Sequence, residues 1–404
     1  MPESRGVAAD DAGAGRRTGP QKIAFFCWES LHAVRVGGLA PAATELAESL
    51  ASRGLEVHFF TRAGSETRGD RAVIEGVTYH FCRPEGPNIV DYCRSMSARM
   101  VEAFRREDDP PFDVLHFHDW HAVDALHELR DRVTVFSFHS TEYGRNGGSF
   151  GGWWEFDEIS GKEWYAGFVS TLVMTVSHHT RTEVMWLYGV PGWKCAVVPN
   201  GVRPERFWRP VDPGSVKKRY GIHPLAPLVL FVGRLAFQKG PDLLLEAVPH
   251  VLRKRWDVQF IVAGTGQMAE DLRERARGLP VQFPGYVSGE DHLDLLNAAD
   301  VVVIPSRNEP FGLVLTEAWS AERCVVATDV GGLSENIEPF VDAIRVPVHP
   351  ESIAWGINYV IDNPQYIRSL GRAGRKKVVE RFDWDLVTGE ALEVYARAQA
   401  LRAR

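Results

Sequence analysis

Two glutamates eight residues apart, Glu309 and Glu317, lie on either side of a Pro310-Phe311-Gly312 turn in SRNEPFGLVLTEAWSAE (306–322). Carboxylates at such spacing suit acid and base work on a glycosidic bond, a two-point grip on one long ligand, or plain surface charge. A glycosidase pair flanks the scissile bond from opposite sides, usually on separate strands. These two share one loop and the helix after it, which suits one ligand held at two points.

Basic residues offer the complementary chemistry. Arg234 and Lys239 in GRLAFQKG (233–240) stand in a loop that enters a helix. The first N–H groups of a helix and its dipole already favour an anion there. Two added cations make a phosphate or diphosphate clamp; the plainer reading is solvated charge. RVGGL (35–39) repeats the idea with Arg35, Gly37 and Gly38. Paired glycines let backbone approach an anion closely, or else make a tight turn.

Four other stretches match motifs by letter and fail by context. AGTGQMA (263–269) reads GxGxxA from Gly264, but no acidic residue ends a strand about 20 residues on, as dinucleotide binding requires. HFHDWH (116–121) invites a metal, yet His116 and His118 share one face of a strand, with only His139 in addition. Polar residues past a strand end, facing a cleft, fit better, and no metal is assigned. GGSFG (147–151) matches the nucleophile elbow around Ser149 without the strand before and helix after that the elbow needs. DWD (383–385) opens a helix outside any strand-end loop.

These side chains need strands that end beside them. KIAFFCW (22–28) is an apolar run, as a strand buried on both faces should be. Leu39, Ala43, Leu46 and Leu50 then recur at helical spacing, and LEVHFF (55–60) is the next strand. The layout repeats with LVLFVG (228–233), a helix from Pro241 that Pro249 is expected to kink, and VQFIVAG (258–264). LPVQFPGYV, DVVVIPS and CVVATDV continue the strands. Two doubly wound α/β domains are expected, joined by the Pro- and Gly-rich segment 197–210, with a cleft between strand C-terminal ends.

With 404 residues the chain exceeds one ordinary core, which agrees with two domains. A net charge of −7 and no Lys/Arg run argue against nucleic acid. No apolar run reaches the length of a membrane span. Five scattered cysteines without CxxC suit reduced thiols in the cytoplasm. The expected division is a disordered arm over 1–20, a first domain over 21–203, a second over 204–383 and a C-terminal helix over 384–404.

In order along the chain, VGGL (36–39), HDW (118–120), Arg234 with Lys239, and Glu309 with Glu317 resemble the motifs of retaining glycosyltransferases of family 4. VGGL with HDW is similar to glycogen and starch synthases. The resemblance runs from about residue 22 to the C-terminus. It implies the GT-B fold, an α/β architecture of two facing Rossmann-like domains with an interdomain cleft, the first on the acceptor side, the second binding the nucleotide sugar, and the C-terminal helix packing back on the first. It also implies transfer of a hexose, glucose for preference, from a nucleotide diphosphate sugar to a hydroxyl of a saccharide such as an α-glucan. No cofactor is implied beyond that substrate.

By the same resemblance Arg234 and Lys239 grip the diphosphate, Glu317 the ribose hydroxyls and Glu309 the hydroxyls of the transferred sugar. Tyr286 packs against the base. Gly264 lies in a donor loop, and backbone at Gly37, Gly38, Phe311, Gly312 and Leu313 meets phosphate and sugar. His139 approaches the donor sugar, with His121 a second candidate, and Glu309, His139, Arg234 and Lys239 form the expected catalytic group. Arg35 stands where glycogen synthases carry Lys, with the same charge and a different reach. His118, His121, Trp153 and Trp154 are acceptor-side candidates. Trp153, Trp154, Trp164 and Tyr165 either stack on sugar faces or lie under a loop. A non-catalytic sugar- or nucleotide-binding protein on the same fold, and a hydrolase built on Ser149, are the alternatives.

Overall fold

A computed structural model describes residues 19–403; the arm expected over 1–20 lies outside the described residues except for Gly19 and Pro20. Eight strands build the first sheet: β1 (Lys22–Phe26), β2 (Glu56–Arg62), β3 (Arg71–Ile74), β4 (Val77–Cys82), β5 (Val114–His118), β6 (Thr134–Phe138), β7 (Leu172–Thr175) and β8 (Cys195–Val197). Their order is β3-β4-β2-β1-β5-β6-β7-β8. Neighbours run parallel except β3 and β4, an antiparallel hairpin turned by Glu75-Gly76, both at positive φ.

β1 is buried along its whole length because helices cover both faces of the sheet. On one side Leu39, Ala43 and Leu46 of the helix Leu39–Ser52 pack with Trp384, Val387 and Tyr395 of the helix Trp384–Arg402. On the other, Met96, Met100 and Phe104 of the helix Ile89–Glu107 meet Phe26, Phe60 and Phe117.

The second sheet comprises β9 (Leu228–Val232), β10 (Gln259–Ala263), β11 (Val281–Gly285), β12 (Val301–Ile304), β13 (Cys324–Thr328) and β14 (Ile344–Val346). All are parallel, in the order β11-β10-β9-β12-β13-β14. Renumbered within the domain this is 3-2-1-4-5-6, the doubly wound order. The helices Pro241–Leu252 and Pro350–Ile361 cover one face, and Gly289–Ala298 with Leu313–Ser320 the other. Pro249 lies inside the first of these, and the helix continues through it to Leu252. Two GT-B domains result.

Strand order reverses between β1 and β5 in one sheet and between β9 and β12 in the other. Ligands of open α/β sheets bind beyond the strand ends at such points. The chain passes between domains twice, and the two passages touch. Val202 N–H donates to Phe382 O at 2.7 Å, and Val202 pairs with Asp383 as a single parallel bridge. Trp384 follows, with its ring against Gly201.

Candidate active site

The loops after β9 and β12 are one unit. Gly240, at φ +62, starts the helix Pro241–Leu252 where a Cβ would lie 2.0 Å from Pro305 O. Arg307 N–H donates to Gln238 O at 2.8 Å, and its guanidinium pairs with Asp242 at 2.6 and 2.8 Å while lying 3.9 Å over the Phe237 ring. This bidentate pair holds both loops in one geometry. Sequence reading missed it, because Asp242 and Arg307 stand 65 residues apart.

Lys239 and Glu309 meet in that unit. The ammonium donates to both Glu309 oxygens at 2.7 and 2.9 Å, and Ser306 Oγ donates to the same carboxylate at 3.1 Å. Arg234 leans on Gln238 Oε1 at 3.0 Å and stays exposed. Desolvation in the cleft and the like charge of Arg145 opposite lower its pKa. Two cations and one carboxylate thus gather at the end of β9.

A third loop supports Glu309 from beneath. Its carbonyl accepts from Gly332 N–H at 2.7 Å, and a Cβ on Gly331 (φ +49) would lie 2.2 Å from that oxygen. Sequence reading missed this pair too. Its signal was present, since Val330-Gly331-Gly332-Leu333 repeats Val36-Gly37-Gly38-Leu39.

Phe311 is buried, and Gly312 at φ +103 caps the helix Leu313–Ser320, whose opening N–H groups lack intrahelical partners. Glu317 lies in the second turn with its side chain 18% exposed, 3.7 Å from His292 Nε2. Burial, then the nearby charge of Glu45 from the first domain, push its pKa up to about 8. Tyr286 follows β11 and is exposed. Gly264 is explained by backbone crowding, since a Cβ there would lie 1.8 Å from Gly233 O.

On the facing domain the RVGGL loop holds a surprise. Glu29, almost fully buried, accepts from Val36 N–H at 2.5 Å, Gly37 N–H at 3.1 Å and Trp28 Nε1 at 3.1 Å. Burial raises the Glu29 pKa and these three donors oppose it. Of the two amides expected to meet a ligand's anion, that of Gly37 therefore grips an internal carboxylate, together with that of Val36. That leaves Gly38 and the first turn of Leu39–Ser52 toward the cleft. Gly37 and Gly38 are not at positive φ, so no turn demands them. Instead a Cβ on Gly38 would lie 2.5 Å from Leu313 Cδ1 of the other domain. Arg35 is exposed and donates to Leu31 O at 3.1 Å.

The histidines disperse rather than converge. His116 bonds Tyr395 and Ser137, each at 2.7 Å. His118, 1% exposed, stacks on Phe25 and meets His139 Nε2 at 3.0 Å. It therefore forms no exposed wall for an acceptor, and burial explains why: β5 is covered on both faces. His139 stands above it, half-buried, its N–H donating to Asp119 Oδ1 at 2.8 Å. Burial holds both imidazoles neutral. His121 is sandwiched between Trp28 and Trp120. Asp119, at φ +55, is a strained residue at the strand end.

The segment after His139 is held by charge. Arg145 bonds Glu142 at 2.8 Å, Ser140 Oγ at 2.7 Å and the buried Glu163, which Tyr188 also meets. Nothing in the sequence pattern singled out Arg145 or Glu163. Gly147 to Gly151 form the loop expected around Ser149. Asp383 N-caps the last helix by accepting from Asp385 N–H. Trp153, Trp154 and Trp164 lie on the surface at 45–51% exposure, so burial under a loop does not account for them, while Tyr165 OH bonds His127.

Comparison with known proteins agrees with this fold. Residues 36–206 match the model of Glycosyltransferase Family 4, and residues 215–377 that of Glycosyl transferases group 1. An uncharacterized glycosyltransferase of Methanocaldococcus jannaschii is 34% identical over 95% of this chain and 100% of its own length. A glycogen synthase of Mycobacterium tuberculosis is 28% identical over 94% of this chain and 95% of its own. Among solved structures, a sucrose-phosphate synthase from Thermosynechococcus elongatus superposes with a TM-score of 0.78, at 23% identity, over 94% of this chain and 99% of that one. From both halves of the sequence and from whole-length relatives alike, it follows that this chain belongs to glycosyltransferase family 4.

Proposed function

We propose that the protein is a retaining hexosyltransferase that moves a hexose, glucose in our reading, from a nucleotide diphosphate sugar to a saccharide hydroxyl such as that of an α-glucan. One observation carries this reading: Arg234, the Lys239–Glu309 pair and the opening of the helix Leu313–Ser320 meet at a strand-order reversal. The glycogen synthase and sucrose-phosphate synthase likenesses support a glucosyl donor.

Departure of a nucleotide diphosphate leaves an oxocarbenium-like sugar and growing negative charge on phosphate. Arg234, Lys239 and the opening N–H groups at Leu313 supply fixed positive potential where that charge grows, and they do so without reorganising. Lys239 is held by Glu309 at 2.7 Å before donor arrives. With donor bound, Lys239 faces the diphosphate and Glu309 accepts from sugar hydroxyls. Glu317 accepts from the ribose, and Tyr286 covers the base. His139, neutral, its backbone N–H on Asp119 and its ring Nε2 at 3.0 Å from His118 Nδ1, faces the sugar from the first domain. Retention follows from attack on the face that the phosphate leaves, with that phosphate taking the acceptor proton, so no side chain serves as nucleophile. Reduced cysteines, all five buried, fit a cytoplasmic enzyme.

Incubating the protein with a panel of nucleotide sugars and saccharides, scored for released diphosphate and for product anomer, tests the reading. Turnover with one donor and a retained anomer is expected. Tight diphosphate binding with no turnover on any pair would favour the non-catalytic alternative.

A further inference from the structure

Away from the cleft, the face of the first sheet that packs on the helix Ile89–Glu107 carries two buried histidines that no part of the transfer chemistry uses. His58 on β2 and His80 on β4 lie diagonally across a parallel pair, His80 in register with Phe60. His58 Nδ1 and His80 Nε2 are 3.0 Å apart, and Glu107 Oε2, from the last residue of the helix, is 3.8 Å from His58 Nδ1. All three ligand atoms fall within 4.8 Å of one another, and this is the one such group among the described residues.

The surroundings decide which nitrogens are free. His58 Nε2 donates to Glu56 Oε1 at 3.1 Å, so its proton sits on Nε2 and the Nδ1 lone pair points at His80. A carboxylate behind a histidine is the usual second partner of a metal-binding imidazole. The rings are fixed, with His80 stacked on Phe60 at 4.5 Å and His58 edge-on to Phe112 at 5.1 Å. Both rings are buried beside the helix Ile89–Glu107.

We propose that His58 Nδ1, His80 Nε2 and the Glu107 carboxylate form a binding site for a divalent transition metal, Zn²⁺ by ligand type, that staples β2, β4 and the end of the helix Ile89–Glu107 together. Two Zn–N bonds of about 2.0–2.1 Å at a tetrahedral angle put the nitrogens about 3.3 Å apart. The observed 3.0 Å needs only a small opening. Glu107 is partly exposed and can close the remaining distance. On metal binding, the proton that His80 shares with His58 moves to His80 Nδ1, leaving Nε2 to donate its lone pair.

Charge sets a limit on affinity. Lys22 and Arg71 approach the same carboxylates, Lys22 at 3.4 Å from Glu56 and Arg71 at 3.7 Å from Glu107. Lys22 is tied to the carbonyls of Glu107 and Pro110, whereas Arg71 is exposed and competes directly for the ligand carboxylate. Removing Arg71 should therefore tighten binding. His58 lies four residues before the end of β2, about 13 Å below the cleft, so the staple acts on the scaffold and not on the transferred sugar.

The test is equilibrium dialysis of chelator-stripped full-length protein against Zn²⁺ at low micromolar free concentration, with bound metal counted and melting followed. The wild type is expected to bind one Zn²⁺ per chain and melt higher with it. His80→Ala should lose both effects. Glu107→Gln, a change at a partly exposed position that keeps the fold, should weaken binding about tenfold, and Arg71→Gln should strengthen it. Absence of bound zinc in the wild type would overturn the site. So would equal binding by the wild type and Glu107→Gln, which would trace the metal to other histidines.

Discussion

Glu317 makes a prediction that can be worked through in numbers. Its pKa of about 8 means that near pH 7 only about one carboxyl in eleven is ionised before nucleotide binds. Two ribose hydroxyls are donors, and the ionised form accepts them best. Binding should therefore select the carboxylate and expel close to one proton per nucleotide at pH 7. Ionising the group first costs about 1.4 kcal/mol, so affinity for the nucleotide diphosphate should be about tenfold lower at pH 7 than above pH 9. Calorimetric titration in two buffers of different ionisation enthalpy measures the released proton directly. The ligand's own phosphate titration appears equally in Glu317→Gln, so the difference between the proteins isolates Glu317.

A companion measurement fixes the sign on stability. The folded pKa is raised above the unfolded value near 4.5, so the unfolded state holds fewer protons between those limits and stability falls as pH rises through that window. Glu317→Gln without ligand should melt higher than the wild type at pH 8, and the gap should close below about pH 4.5. Equal proton release by both proteins, or a gap that does not depend on pH, would refute the assignment of Glu317 to the ribose and of its raised pKa to burial.

Arg234→Ala and Lys239→Ala should each cut turnover at least tenfold while leaving the protein folded, since a charged hydrogen bond contributes about 1.5–3 kcal/mol; steady-state kinetics beside circular dichroism read this. Glu309→Gln should lower turnover yet leave calorimetric affinity for the nucleotide diphosphate nearly unchanged, because the only part of the donor it touches in our reading is the sugar. Activity should survive excess EDTA, as the clamp is built from side-chain and helix charge; complete loss restored by a divalent ion would contradict it. Ser149→Ala should keep transfer within a few-fold, and stoichiometric fluorophosphonate labelling at Ser149 would revive the hydrolase reading.

Much of this was legible because strands covered on both faces announce themselves as unbroken apolar runs. KIAFF, LVLFV and VVVI, which lack the alternation of a half-buried strand, are β1, β9 and β12. Once these were fixed, Lys239 and Glu309 had to sit at their ends. What stayed hidden depends on distance along the chain. Asp242 and Arg307 carry no local pattern, and Glu29 reads as an ordinary loop acid until its grip on Val36 and Gly37 is seen. His118 looked like a cleft residue because its strand ends there. Burial depends on what packs above a strand end, and no periodicity records that.

Ser49 Oγ bonds Thr388 Oγ1 at 2.8 Å, and Trp384 Nε1 bonds Glu45 at 2.7 Å, each across 339 residues. One apolar layer of the first domain is thus supplied by a segment synthesised long after the strands it covers. At roughly 5–20 residues per second, that interval is about 17 to 70 s. During it, Leu46, Leu50 and the neighbouring aromatic surface lie uncovered on the nascent chain, while the second sheet, contiguous in sequence, can close by itself. The later domain is therefore the earlier to mature, and the first is the one that keeps apolar surface open until the end of translation.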